Sequence, residues 1–256
     1  MLVYAAHIPH SPLLLPQIGK ERSRLFKKIR GAIKTIAEDL YARKVDTVIT
    51  ITPNGEGQEQ AYVVHFSPKF DIDFSRFGDF STRSYALGDS YTAFKLRHIL
   101  SRTHSIKSLT PRILDAASSV ASLQLRYTES QLRIVPLTYA LDRPEQLYSF
   151  GTLLRDSVEQ CPQRIAIISL GDLARNRRKT AKETKDFDTL LANAIISHDT
   201  DSFINDCGTQ ADTFFVSGYR PLAILLGVLD DIAASSDVVE YEQPMGIGMM
   251  VARFQF

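Results

Sequence analysis

Three short segments carry the residues of this chain that could take part in chemistry. They are His7-Ile8-Pro9-His10-Ser11-Pro12, Thr52-Pro53-Asn54-Gly55 and Ser169-Leu170-Gly171-Asp172-Leu173. Each follows an apolar run of the kind that forms a buried strand. In an open α/β sheet, the loops that follow such strands meet in one crevice at the strand ends. The sequence therefore predicts one site to which all three segments contribute.

His10 and His7 are the candidate metal ligands of the first segment. A neutral imidazole that projects from a loop after a strand can bind a metal ion or transfer a proton. The structural alternative is a partly exposed loop histidine without a role. The two imidazoles can reach one metal only if the chain turns between them.

The second and third segments offer an amide and two carboxylates. Asn54 could provide a carbonyl oxygen, which is a weak ligand for a transition metal. A relocated metal site would combine His7 and His10 with either Glu56 or Asp172, which gives two histidines and one acid. The structural alternative places Glu56 in a solvated Gly-rich turn and Asp172 at the cap of a following helix.

A cationic run follows the third segment. Arg175-Asn176-Arg177-Arg178-Lys179 has four cations in five residues. Beside a strand end and a helix N-terminus, such a run could hold a carboxylate or a phosphate. More commonly a charge run is a solvated surface. Both interpretations remain open for the run as a whole.

Composition excludes several classes of protein. The 256 residues contain 30 Lys and Arg against 29 Asp and Glu, a formal charge of +1, so a general nucleic-acid-binding role is not expected. The start of the chain lacks a basic region, and later apolar runs are too short to cross a bilayer. Cys161 and Cys207 have no metal-binding spacing. We expect a cytoplasmic protein that does not bind membranes.

The hydrophobic pattern predicts a single α/β domain over residues 1–256, with a central, mostly parallel or mixed sheet and helices on both faces. A strand, a helix and a strand at 2–6, 19–42 and 45–51 suggest parallel pairing through a right-handed crossover. Further strands are predicted at 62–66, 132–137, 164–170, 238–242 and 247–254, and further helices at 91–101, 144–160, 187–197 and 220–232. Residues 67–88 are predicted to be an irregular loop that is mobile without ligand.

The run from Ala6 to Gly19 resembles the N-terminal motif of class III extradiol ring-cleavage dioxygenases, of the protocatechuate 4,5-dioxygenase β-subunit type. In that family a Pro-His-x-Pro segment supplies the first iron-binding histidine, which matches His10. A Pro-His-Gly segment supplies the next one, and this chain has Asn54 there. The family's catalytic histidine follows a Ser-Gly-Asp-Leu-Ser segment, and Arg175 takes its place here. The third ligand, a Glu, matches the stretch Phe215-Val216-Ser217-Gly218-Tyr219.

The resemblance spans almost the whole chain and implies an Fe(II) site of two histidines and one carboxylate. Because only His10 of these ligands is kept, our first hypothesis is a divergent member without the usual Fe(II) site or ring cleavage. It would bind a small aromatic or anionic ligand in the former crevice, lined by His10, Asn54, Asp172 and Arg175. A guanidinium stays protonated, so Arg175 cannot act as a general base.

Two alternatives belong to other functional classes. One is an active non-haem Fe(II) dioxygenase that acts on a catechol-like ring and uses relocated ligands, with His10 and either His7 or Glu56 on the metal. The other is a non-catalytic subunit, because the resemblance implies a homo- or hetero-oligomer in which a partner chain could hold the missing chemistry.

Overall fold

The computed structural model describes residues 1–53, 61–126, 132–177 and 179–256, and these form an α/β fold around one mixed sheet. Ten strands make up the sheet in this part of the chain: β1 (Leu2–Ile8), β2 (Thr47–Thr52), β3 (Tyr62–His65), β4 (Lys69–Phe74), β5 (Asp79–Gly88), β6 (Ile106–Leu109), β7 (Arg133–Thr138), β8 (Ile165–Leu170), β9 (Ser235–Glu242) and β10 (Met249–Gln255). The main path runs β4-β5-β7-β2-β8-β1-β10-β9, with β3 paired to β6 and β7.

Helices cover both faces of the sheet, as the sequence predicted. They are α1 (Pro16–Gly19), α2 (Lys27–Ala42), α3 (Ser90–Leu100), α4 (Ala116–Gln124), α5 (Pro144–Glu159), α6 (Ala181–Ile196), α7 (Gly208–Ala211) and α8 (Tyr219–Val228). Helices α2 and α4 contribute to the hydrophobic core on one face. Helices α3, α5, α6 and α8 contribute to the core on the other. The α/β class is thus confirmed.

The centre of the sheet is parallel. Strand β8 pairs in parallel with both β1 and β2, and β2 pairs in parallel with β7. All six residues of β2 and of β8 are buried, which is typical of parallel strands covered on both faces. The carboxyl ends of these four strands therefore lie along one edge of the sheet.

The predicted direct pairing of the first two strands is wrong. Strands β1 and β2 run in the same direction, but β8 lies between them and pairs with each. Strand β8, with the sequence Ile-Ala-Ile-Ile-Ser-Leu, is buried along its whole length, which favours a central position where helices cover both faces of the sheet and neighbouring strands satisfy the backbone on both edges. No pattern within residues 1–51 contains that information.

Residues 67–88 are a β-hairpin and not the predicted irregular loop. Strand β4 pairs antiparallel with β5, and Phe70, Ile72 and Phe74 alternate into the core with charged residues between them. This alternation with period two is the normal signal of a half-buried strand. The inner face of the hairpin is packed against the core, which counts against the prediction that residues 67–88 are mobile without ligand.

Two helix starts differ from prediction for local reasons. Helix α2 begins at Lys27, because Lys20 takes a positive φ of 47° and a 3₁₀ segment, Lys20–Phe26, precedes the α-helix. Helix α6 begins at Ala181, because Thr180 and Glu183 form a reciprocal capping box. Strand β6 and helix α4 were not predicted. Within the described ranges, no helix has the length and hydropathy needed to cross a lipid bilayer.

Helices α5 and α8 cross so closely that the contact tolerates no side chain at Gly227. A Cβ there would overlap the carbonyl oxygen of Tyr148. We expect Gly227→Ala to lower the free energy of unfolding by roughly 1–3 kcal/mol, the usual cost of overpacking a core. Urea denaturation would measure the change.

Gly31 provides the matched control for this substitution. It lies in α2, and a Cβ there would have no neighbour within 4 Å. Gly31→Ala should raise the free energy of unfolding by about 0.5–1 kcal/mol, because alanine has the higher helix propensity. Equal effects of the two substitutions would contradict the close crossing.

Candidate functional site

The parallel pairing of β1 and β8 brings the first and third segments together. Their register places His7 opposite Ser169 and Ile8 opposite Leu170, so the loops that follow begin side by side. A backbone hydrogen bond from Gly171 N–H to the Ile8 carbonyl, 3.2 Å long, continues the contact beyond the strands. The loops that carry His10 and Asp172 are therefore neighbours.

Asp172 is the centre of the site. Its carboxylate is 1% exposed, with Oδ1 3.4 Å from His10 Nδ1 and Oδ2 accepting a hydrogen bond of 3.2 Å from Arg175 Nη2. The His10 backbone N–H also donates to Oδ1 at 3.4 Å. Burial raises the pKa of this carboxyl, whereas the adjacent His10 and Arg175 lower it by more than burial raises it. The net pKa therefore lies below its usual value. Asp172 is therefore ionised at neutral pH.

The loop after β8 is shaped by close contact with the segment before α8. Gly171 packs directly against Gly218, and a Cβ at Gly171 would overlap the Gly218 backbone. Ser217 Oγ accepts a hydrogen bond of 3.0 Å from Asp172 N–H, and Gly218 N–H donates to the Asp172 carbonyl at 2.9 Å. The stretch that the resemblance matches to the third iron ligand thus lies at the site, with a serine in contact.

His7 lies beneath this loop. It is fully buried, and its Nδ1 is 2.8 Å from Ser169 Oγ. Its Nε2 is buried and has no hydrogen-bond partner among the described residues. Burial lowers the pKa of His7 to about 3, although the charge of Asp172 acts in the opposite direction. The imidazole is therefore neutral at physiological pH.

The described cations of the run differ in exposure and in the groups that they contact. The Arg175 side chain is 30% exposed, and its Nε is buried without a hydrogen-bond partner in the described part of the chain. Arg177 is exposed and lies 5.0 Å from the ring centre of Phe215. Lys179 pairs with Glu183 at 3.7 Å. Of these three cations, only Arg175 contacts Asp172.

Two local expectations for this segment are wrong. Asp172 does not cap a helix, and the cationic run does not begin one, because the described residues between β8 and the start of α6 at Ala181 form no helix. Asp172 is instead an ion-pair partner within its own loop. Asn54, Glu56 and Arg178 lie outside the described residues.

The described residues do not fit the iron site that the resemblance implies. They contain no group of three His, Cys, Asp or Glu side chains arranged to hold a metal ion. Both oxygens of Asp172 already contact cationic or imidazole nitrogens. A ring-cleavage site needs two histidines and one carboxylate free to bind Fe(II). The donor set around Asp172 is therefore that of an ion pair.

Sequence reasoning assigned no role to three residues that shape the site: Ser169, Ser217 and Asp188. Ser169 contacts His7, Ser217 contacts Asp172, and Asp188 accepts a hydrogen bond of 2.8 Å from the Ala174 N–H. Ser169 carried a weak signal, as a polar residue in an otherwise apolar strand. The other two depend on contacts between distant segments.

Comparison with known proteins supports the fold and leaves the activity open. No family model matches the chain. Protein CA_C1420 of Clostridium acetobutylicum is 21% identical over 269 residues, which cover 97% of this chain and 56% of that protein. The chain thus spans about half the length of this curated relative.

A solved structure gives the second comparison. The crystal structure of the uncharacterized protein JW3007 from Escherichia coli K12 superposes with a TM-score of 0.66 at 13% sequence identity. The match covers 99% of this chain and 100% of that one. At this identity the similarity shows a shared fold.

Because His7 is buried and neutral, the stability of the protein should depend on pH. Its pKa of about 3 in the folded state lies below the usual 6.5, so its contribution to stability is complete above pH 6.5 and is lost as pH falls toward about 3. We expect the titration of His7 to lower the free energy of unfolding by about 2 kcal/mol as the pH falls from about 7.5 to about 5. Urea titrations at both pH values would measure it.

Two variants separate the effect of His7 on the pH dependence of stability from the effects of other titrating groups. His7→Asn removes the titrating group, so its stability should depend less on pH by that amount. His98→Gln is the control, because His98 is an exposed residue of α3. An unchanged pH dependence in His7→Asn would contradict a neutral, buried His7.

Proposed function

We propose that this protein is a divergent relative of the class III extradiol dioxygenases whose crevice binds a small anion and does not cleave catechol rings with Fe(II). The observation that carries this proposal is the ion pair between the partly exposed Arg175 and the buried Asp172. Arg175 stands where the resemblance implies a catalytic histidine. A permanent cation therefore occupies the position of an acid–base group.

The ion pair disfavours a divalent metal. Asp172 is a carboxylate at the centre of the site, and a metal could use it only by displacing His10 or Arg175. A divalent cation would also be repelled by the guanidinium at short range in a region of low dielectric constant. Both effects weaken Fe(II) binding relative to a site with two histidines and a free carboxylate.

The same cluster favours an anion. The Arg175 Nε is a buried donor without an acceptor among the described residues, and leaving such a donor unpaired costs about 1–3 kcal/mol. The Arg175 side chain is 30% exposed, so a carboxylate, sulfate or phosphate oxygen could approach the guanidinium from solvent. His10 is 8% exposed and lies beside Asp172, with its Nδ1 3.4 Å from Oδ1.

The rim of the site offers an apolar contact beside the cations. Phe215 is 43% exposed, and the Arg177 guanidinium lies over its ring. An anion with an aromatic body could therefore contact Phe215 while its charged group meets Arg175. We also propose a cytoplasmic location, supported by Cys161 and Cys207, which are both buried free thiols.

Calorimetric titration with sulfate and with benzoate tests anion binding directly. Arg175→Gln removes the cation that pairs with Asp172, and we expect it to weaken binding roughly 10- to 100-fold, the equivalent of one charge-assisted hydrogen bond. Arg177→Gln is the matched control, because it removes an exposed cation two residues away. Binding that is absent, or lost equally in both variants, would contradict the proposal.

Iron loading tests the principal alternative. The protein would be incubated anaerobically with Fe(II), and its metal content measured by elemental analysis beside His10→Ala. We expect no iron bound in proportion to protein. One iron per chain that is lost in His10→Ala, together with cleavage of catechol, would overturn the proposal and favour a dioxygenase with relocated ligands.

A further inference from the structure

Asp188 connects helix α6 to the loop that carries Asp172 and Arg175. It is buried, and its Oδ1 accepts a hydrogen bond of 2.8 Å from the backbone N–H of Ala174. Ala174 lies directly before Arg175 and two residues after Asp172. The carboxylate of Asp188 therefore holds the backbone between the two members of the ion pair.

The partners of Asp188 suit only its ionised form. Tyr241 Oη donates to Oδ2 at 2.7 Å, and Gln243 Nε2 donates to the same oxygen at 3.3 Å. Together with Ala174 N–H, three donors from two distant segments of the chain meet one carboxylate. A protonated Asp188 would bring a fourth hydrogen to this group, so at least one of these hydrogen bonds must weaken or turn.

No cation compensates the charge of Asp188 in the described structure. On its own helix, Lys185 is exposed, and Thr184 accepts a hydrogen bond from Gln243. On β9, Glu242 pairs with Lys28 at 2.7 Å. In the loop, Arg175 is directed to Asp172. The hydrogen bonds of Asp188 are thus its main stabilisation, and they link its charge to the loop.

The Leu173–Arg175 backbone makes its other hydrogen bonds to backbone groups, which do not titrate. Leu173 N–H donates to the Gly248 carbonyl at 2.7 Å, and Gly248 N–H donates to the Ala174 carbonyl at 2.8 Å. Arg175 N–H donates to the Phe214 carbonyl at 2.9 Å. Asp188 is therefore the titratable group among these contacts of the Leu173–Arg175 backbone.

We propose that Asp188 is a positioning residue for the anion site: its ionised carboxylate holds the Ala174 backbone, and its protonation loosens the loop and weakens anion binding. This inference rests on the proposed function. It adds proton-linked control by a residue that does not itself contact the ligand site.

The pH range in which Asp188 titrates supports a role near neutral pH. Burial raises the pKa of Asp188 to about 6, although the hydrogen bonds from Tyr241, Ala174 and Gln243 act in the opposite direction. The carboxylate is thus ionised above this pH and protonated below it. Hydrogen bonds to an ionised acceptor are roughly twice as strong as those to a neutral one, so protonation changes how tightly Ala174 is held.

The test compares wild type with Asp188→Asn, which carries no charge at any pH. Sulfate is the probe, because it stays doubly charged from about pH 5 to about pH 8. We expect the variant to bind sulfate up to about tenfold more weakly at pH 8 and within about twofold of wild type at pH 5. The ratio of the two affinities at each pH reports the contribution of Asp188. Asp186→Asn removes an exposed charge from the same helix and should match wild type throughout.

Hydrogen exchange of the Ala174 amide gives a readout that needs no ligand. In wild type the exchange should accelerate about tenfold, after correction for intrinsic rates, as pH falls through about 6, and in Asp188→Asn the corrected rate should not change with pH. If Asp188→Asn does not fold, Tyr241→Phe replaces it. Loss of the Tyr241 donor should move the midpoint of the transition to higher pH.

The two proposals fail in different ways. Sulfate binding with the same pH profile in wild type and Asp188→Asn would overturn the role of Asp188 and leave anion binding intact. A pH-dependent Ala174 amide without sulfate binding would overturn the proposed function while retaining control of the loop by Asp188. An Ala174 amide whose corrected exchange does not depend on pH would overturn the control itself.

Discussion

The enclosure of β8 between β1 and β2 is the constraint on which the site depends. This strand is buried along its whole length, so parallel neighbours must cover both of its edges. That arrangement brings the end of β8 beside the end of β1, and so brings the loop of Asp172 beside the loop of His10. Without it, His10 and Asp172, which are 162 residues apart, would not form a pair.

Electrostatics then decides what this edge can bind. A carboxylate as deeply buried as Asp172 is stable only with positive charge or hydrogen-bond donors around it. Arg175 provides the charge from within the same loop, and His10 provides a backbone donor and an imidazole. The charge of Asp172 is therefore used inside the protein, and the Arg175 Nε has no hydrogen-bond partner among the described residues.

The loop is held by backbone contacts on several sides, which separates the frame of the site from its chemistry. The Gly171–Gly218 contact and the hydrogen bonds to Gly248 and Phe214 constrain the backbone without specifying the side chains that project from it. Such a frame can persist while its functional residues change. The fold shared with JW3007 at 13% identity is consistent with this separation, since fold alone does not determine activity.

The sequence by itself determined the α/β class and most of the strands and helices. It also placed His10, Asp172 and Arg175 in loops that follow strands. These follow from short-range patterns: apolar runs that end at Pro or Gly, helical spacing in α2, and polar residues directly after strands. Tertiary structure alone decided that β8 separates β1 from β2, that His7 contacts Ser169, and that Ser217 and Asp188 hold the site loop. Each of these contacts joins separate segments of the chain or depends on strand register. A local sequence pattern contains no information about either of these features.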